Sequence, residues 1–206
     1  RRVLMNQVLI LFAHPRFEQS KTNRALLAGV GSMAGVTLHD LYELYPDFNI
    51  HVAREKALLM EHSIILFHHP FYMYSAPALL KQWMDVVLEY GWARGSKGNA
   101  LKGKTAGNVL TVGGTRQVYA RGALHRFTIR EFLVPFEQSA DLCKMKYLPP
   151  FVVHGTHLLT GEQHRQYAAR YFDMLSVLIA GDFDLDDLHR YEYFNDWLEA
   201  RKGRTP

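Results

Sequence analysis

The sequence predicts a doubly wound α/β fold on a five-stranded parallel sheet, with an appendage at the C-terminal end. Short apolar runs rich in β-branched residues alternate with stretches of helical periodicity, which is the mark of repeated βαβ units. A chain of 206 residues, 48% hydrophobic and 21% charged, is also sufficient to bury one sizeable core. Third, the chemically unusual residues gather in loops that follow strands, where open α/β sheets bind their ligands.

The first strand spans Val8 to Phe12, and a helix follows from Ser20 or Lys21 to about Gly31. A strand near Val36 to His39 precedes a helix over Val52 to Glu61. The third strand, Ser63 to Phe67, is a continuous apolar run that suits a central position covered on both faces. Its helix opens at Pro77, because a first-turn N–H has no intrahelical partner to lose, and Leu79, Leu80, Trp83, Met84, Val87 and Leu88 fall on one face. The fourth strand covers Thr105 to Val112, followed by a helix over Ile129 to Leu142. Phe151 to His154 is expected as the fifth strand, in the common order 2-1-3-4-5. Thr160 and Gln163, in capping-box spacing, open a helix reaching Ile179. Residues 1–181 thus make one domain, and 182–206 an extension whose acidic and aromatic stretch Asp182 to Trp197 exceeds what five units need.

Cys143 is the only cysteine, which removes disulfide frameworks, Cys-x-x-Cys redox pairs and thiolate zinc sites and leaves a buried, inert thiol. His154 and His157 have metal-compatible spacing, yet no third ligand accompanies them, and His68 and His69 read as ordinary strand-end residues. The net charge of +4 is spread along the chain rather than gathered in a stripe, which argues against nucleic acid and toward an anionic ligand or a membrane-adjacent partner. No run approaches the roughly 20 apolar residues of a membrane span. Arg1 and Arg2 open no signal-peptide core, so a soluble, cytoplasmic protein is expected.

Three loops carry chemistry. The first runs Ala13-His14-Pro15 and then Ser20, Lys21, Thr22 and Asn23, which concentrates donors for an anion such as phosphate, although the same residues also fit a plain helix cap. After strand three, Pro70, Phe71, Tyr72, Met73, Tyr74 and Pro77 form a stiff aromatic segment that suits a tricyclic flavin or, equally, closes the top of the core. After strand four, Thr111, Val112, Gly113 and Gly114 permit close backbone approach to a ring, or form a tight turn. Downstream, Tyr119 and His125 offer a donor and a titratable group near the same place. Neither a Walker loop nor G-x-G-x-x-G is present.

In combination these loops resemble the NAD(P)H:quinone oxidoreductase family of flavodoxin-like fold over residues 7 to 180. The signature residues are Ala13-His14-Pro15, Asn23, Asp40-Leu41-Tyr42, Pro70, Tyr74, Pro77, Leu80-Lys81 and Gly113-Gly114, with Tyr119 and His125 at matching spacing. Within that family, Tyr45 to Ile50 and Leu148-Pro149-Pro150 are similar to the ancillary subunits of glutathione-regulated potassium-efflux systems. The resemblance implies that His14, Ser20 to Asn23, Phe71 to Tyr74 and Thr111 to Gly114 surround FMN, in a homodimer whose active site lies between subunits. It also implies docking on a potassium/proton antiporter, hence a peripheral place on the inner face of the cell membrane. Met73 stands where many relatives carry Trp, and Val112 where many carry Thr. FMN is preferred to FAD because no adenine-binding segment is recognisable. The reading is an enzyme passing electrons from NAD(P)H to a quinone-like acceptor, with Tyr119 and His125 catalytic. Its rivals are a redox-sensing regulatory module and a flavodoxin-type electron shuttle, the latter disfavoured by a pI near 9.1.

Overall fold

In the computed structural model, which describes residues 5–203, all strand pairs are parallel and the sheet runs β2 (Val36–Asp40), β1 (Val8–Phe12), β3 (Ile64–Pro70), β4 (Thr105–Thr111), β5 (Lys146–Tyr147). The Arg1–Arg2 pair and the last three residues of the extension lie outside the described residues. β1 (Val8–Phe12) and β3 (Ile64–Pro70) are buried at every position, as strands covered on both faces must be. Their side chains divide by parity. Val8, Ile10, Phe12, Ile64 and Leu66 join one core with α1 (Lys21–Leu27) and α7 (Gly161–Ala180), while Leu9, Leu11, Ile65 and Phe67 join the other. That second core is closed by α3 (Val52–Glu61), α4 (Ala78–Val87) and α6 (Val134–Leu142).

Several boundaries differ from the sequence-based expectation. α1 ends at Leu27, and Gly29 turns the chain at φ 81 before a short 3-10 turn. Asp40, the last residue of β2 (Val36–Asp40), accepts from the N–H groups of Tyr42 and Glu43 and thereby starts an unforeseen helix, α2 (Leu41–Leu44). The helix expected over 129–142 is two, α5 (Ile129–Phe132) and α6, meeting at Leu133 just before Pro135, which lacks the N–H a continuous helix would use. Beyond β4 (Thr105–Thr111), the fifth strand position is filled by two pieces, β5 (Lys146–Tyr147) and β6 (Phe151–Val153). Between them Leu148, Pro149 and Pro150 stand opposite only Gly107 and Asn108, a bulge centred on residues that cannot donate. Gly107 eases the close approach there, because a Cβ would lie 3.2 Å from that of Leu148 and force it to shift.

His68 and His69 stand at the C-terminal end of β3, as expected, and are fully buried there. His69 reaches the Pro70 carbonyl through Nδ1 (3.0 Å) and the Asn108 amide through Nε2 (3.0 Å). In the same layer as His69, Glu55 is also fully buried and receives His39 Nε2 (2.9 Å), the Tyr45 hydroxyl (2.5 Å) and Trp83 Nε1 (2.8 Å). Burial pushes the Glu55 carboxyl up, but these three donors outweigh it and hold it below its ordinary value. The C-terminal extension forms α8 (Leu185–Leu188) and α9 (Phe194–Lys202), and its Leu188, Phe194, Trp197 and Leu198 share the core of α1 and α7. Asn195 pairs its side-chain amide with both the N–H (2.8 Å) and the carbonyl (3.1 Å) of Val152 in β6.

Burial drives the pKa of His68 down to about 3 and that of His69 to about 4, so both are folded in neutral form. The unfolded chain binds a proton at each below about pH 6.5 and the folded chain does not. Unfolding free energy is therefore expected to be unaffected by these groups above pH 6.5 and to decline below it, by about 1.4 kcal/mol per pH unit for each histidine. Urea titrations between pH 7 and pH 5 check this, and His69→Gln should remove one histidine's share of the slope.

Candidate active site

A cleft of about 800 Å³ opens at the C-terminal ends of β1, β3 and β4, within the size range of small-molecule sites. Its walls come from the three loops singled out in the sequence. From the first come His14, Ser20, Lys21 and Thr22, from the second Phe71 and Tyr72, and from the third Thr111, Gly113 and Gly114. Tyr119 and His125 complete one side. Arg16, Thr156, His157 and His164 also line it and were not foreseen, because the last three arrive from the end of β6 and from α7, far along the chain.

Each polar group of the first loop has a defined role. Ser20 Oγ accepts from the N–H (3.2 Å) and the amide (2.9 Å) of Asn23, so its hydroxyl proton is left to donate. His14 Nδ1 accepts the Arg16 N–H at 3.0 Å, which leaves Nε2 to carry the ring proton. Burial lowers the His14 pKa, despite the opposing pull of Glu18, and keeps that imidazole a neutral donor at neutral pH. Thr22 is engaged differently from the expectation. Its hydroxyl lies 3.0 Å from His164 Nε2, and since His164 Nδ1 donates to the Thr160 carbonyl at 2.9 Å, a neutral His164 accepts the Thr22 proton.

Asn23 and Val112 lie beneath the cleft rather than on its wall. The Asn23 amide donates to Thr111 Oγ1 (3.1 Å), and its carbonyl faces His68 Nε2 (2.9 Å), whose Nδ1 meets the Tyr171 hydroxyl (3.2 Å). The Val112 N–H is used by the Val153 carbonyl at 2.8 Å, so that donor is unavailable to a ligand.

Met73 and Tyr74 are absent from the cleft lining. Both occupy the left-handed region, φ 46 and φ 63, in a tight turn closed by the Ser75 N–H on the Tyr72 carbonyl at 2.9 Å. Such a turn favours Asn and Gly, so two large side chains here are strained. Met73 is 89% exposed. Tyr74 turns toward Phe132 (5.1 Å, stacked) and His125, its hydroxyl 3.3 Å from Nδ1. Tyr119 stacks on His125 at 4.3 Å, and its phenol is raised above its ordinary pKa by burial and by Tyr74, which keeps it protonated. Gly114 is required by the fold itself, since a Cβ would meet the Tyr119 ring at 2.8 Å. Among the described residues, no three His, Cys, Asp or Glu side chains converge as metal ligands.

The flavodoxin-like fold family matches residues 6–175. The ancillary protein KefG of the glutathione-regulated potassium-efflux system of Shigella flexneri is 44% identical over 170 residues, 82% of this chain and 93% of its own length. General stress protein 14 of Treponema denticola, solved in complex with FMN, superposes with a TM-score of 0.80 at 36% identity over 84% of this chain and 99% of its own. A NADPH-quinone reductase from P. pentosaceus does so with a TM-score of 0.75 at 36% identity, covering 82% and 96% respectively.

The buried amide beneath the cleft yields a direct test. Asn23→Ala leaves the His68 Nε2–H without an acceptor and should lower stability by about 1–3 kcal/mol in urea unfolding. Thr111→Val should cost less, because the Asn23 amide retains Ser20.

Proposed function

The chain belongs to the flavodoxin-like fold family, and on that premise we propose that it is an FMN-dependent NAD(P)H:quinone oxidoreductase that also serves as ancillary subunit to a potassium/proton antiporter. One observation carries the reading. The cleft joins a polar end, formed by His14, Arg16, Ser20 and Lys21, to a wall of Phe71, Tyr72 and side-chain-free Gly113. That combination fits a ligand with an anionic tail and a flat ring, and FMN is such a ligand. When bound, FMN supplies the hydride acceptor and electron donor that couple NAD(P)H oxidation to quinone reduction.

The chain's own residues bind, orient and manage protons. Lys21 and Arg16 offer positive charge to the phosphate, and the Ser20 hydroxyl and His14 Nε2–H offer directed donors. Tyr119, held protonated, would offer its hydroxyl as a donor on the side of the cleft where His125 stacks beside it, and the pair is placed to hold or supply a proton there. Met73 and Tyr74, with Leu124 at 78% and Phe127 at 53% exposure, form an apolar rim beside the cleft, and a second copy of the chain is the partner that would cover it.

For the ancillary role, the Tyr45 to Ile50 segment divides its residues between two tasks. Tyr45 is buried on Glu55, whereas Phe48 is held outward at φ 63 and is 39% exposed. No helix among the described residues is long and apolar enough to cross a membrane.

Purified protein should show flavin absorption and release FMN rather than FAD on denaturation. His125→Ala should keep its flavin while kcat falls by about 10²-fold, and an unchanged rate with several quinones would remove His125 from the mechanism. Substituting Asp47 and Phe48 together should spare quinone reduction by the purified protein and diminish potassium efflux in cells that carry the antiporter. Parallel loss of both would instead assign the segment to folding.

A further inference from the structure

The family match ends at residue 175, yet the chain continues, and Glu192 to Asp196, at the start of α9, reach the turn that carries Tyr119 from outside. The contact is Arg116, two residues beyond the glycine pair. Its guanidinium takes both carboxylate oxygens of Asp196, Nη1 to Oδ1 at 2.7 Å and Nη2 to Oδ2 at 2.8 Å, and Glu192 Oε2 at 2.6 Å. It also lies 4.4 Å above the Tyr193 ring. A planar fork gripping two carboxylates and an aromatic face is fixed in direction as well as position, which a lone surface ion pair is not.

Arg116 opens the short 3-10 turn that ends at Tyr119. Within this turn the Val118 carbonyl accepts the N–H of His125 at 3.0 Å, and the Tyr119 ring stacks on the His125 imidazole. On its inner side the turn is pressed against Gly114, where no Cβ would fit. On its outer side, His154 sits between the rings of Tyr119 (6.0 Å) and Tyr193 (5.5 Å). The turn is thus bounded inside by the cleft floor and outside by the extension. The extension itself is anchored independently, through Asn195 on Val152, the Phe194 N–H on the Pro150 carbonyl (2.9 Å) and the buried Trp197.

We propose that the C-terminal extension is a working part of the active site. Glu192 and Asp196 act through Arg116 as positioning residues that hold Tyr119 and His125 at the cleft. The inference rests on the oxidoreductase reading for its kinetic consequence, but not for its structural one. Residues 115–127 also have local anchors of their own, the Arg121–Glu131 pair in mid-segment, the Tyr74 hydroxyl on His125 and the Thr128 cap just beyond, but none of them engages Arg116 at the start of the turn.

The test uses full-length protein carrying Glu192→Gln with Asp196→Asn, a pair of near-isosteric changes that leave Asn195 and Trp197 untouched and keep a side-chain oxygen for the Tyr193 N–H that Asp196 caps at 3.3 Å. Flavin stoichiometry and the KM for NAD(P)H should be unchanged while kcat falls by about tenfold, as expected when a reacting group is misplaced rather than removed. Amide hydrogen exchange in residues 115–127 should accelerate by about tenfold without change in β1 and β3. Arg116→Lys, which retains the charge but loses the fork, should fall between wild type and the double variant. Lys202→Met, which breaks the extension's separate pair with Asp173 (2.8 Å), should leave both readouts alone. Unaltered exchange in the double variant, or equal effects from Lys202→Met, would overturn the proposal. If the wild-type protein reduces no quinone, the oxidoreductase reading fails, and hydrogen exchange still decides the clamp.

Discussion

The carboxamide of Asn23 is the interaction on which the arrangement of the cleft depends. It lies where the loops after β1, β3 and β4 meet, and one side chain satisfies Ser20, Thr111 and His68 together. Only an amide can do this, since it must donate to two hydroxyls and accept from an imidazole in the same plane. His68 in turn has both nitrogens engaged, so a polar ring at the centre of an apolar sheet carries no unpaired group. Three loops far apart in the chain are thereby fixed to one another before any ligand arrives.

Glu55 does the corresponding work beneath the other layer. His39 from the edge strand, Tyr45 from the segment after α2 and Trp83 from α4 converge on a carboxylate that could not otherwise be buried. The Tyr45 phenol is pushed up to about 12 by burial and by the carboxylate it serves, and so remains a donor. Phe48 then emerges from a segment whose base is rigid. Outward presentation of an aromatic on a fixed base reduces the ordering that a partner contact requires.

The sheet was legible in the sequence because strands covered on both faces read as unbroken apolar runs, and its order is the common one, 2-1-3-4-5. The helix over Ala78–Val87 was equally plain, with Leu79, Leu80, Trp83 and Val87 buried as one stripe. What escaped depended on partners distant in sequence. His68 and His69 read correctly as the end of a strand, but not as buried groups held by Asn23 and Asn108. The 129–142 period runs unbroken through Leu133, and only the missing N–H of Pro135 marks the junction. The site was legible as three loops but not as one surface. Residue type places Met73 beside a ring, whereas its left-handed backbone carries the side chain away; His157, weighed only as half of a metal-spaced pair, and His164 escaped as cleft residues because their proximity is made by the fold alone.

The pairing of Asn195 with Val152 has a consequence for assembly. A side-chain amide there occupies the place that the backbone of another strand would take, so at Val152 the sheet is closed to growth. At the opposite margin, β2 borders an open groove of about 660 Å³ floored by Phe12, Leu27, Leu38 and Leu58. The two margins of the sheet therefore differ in kind: at Val152 a side chain stands where an added strand would pair, which is one of the ways a sheet margin is kept from edge-to-edge stacking.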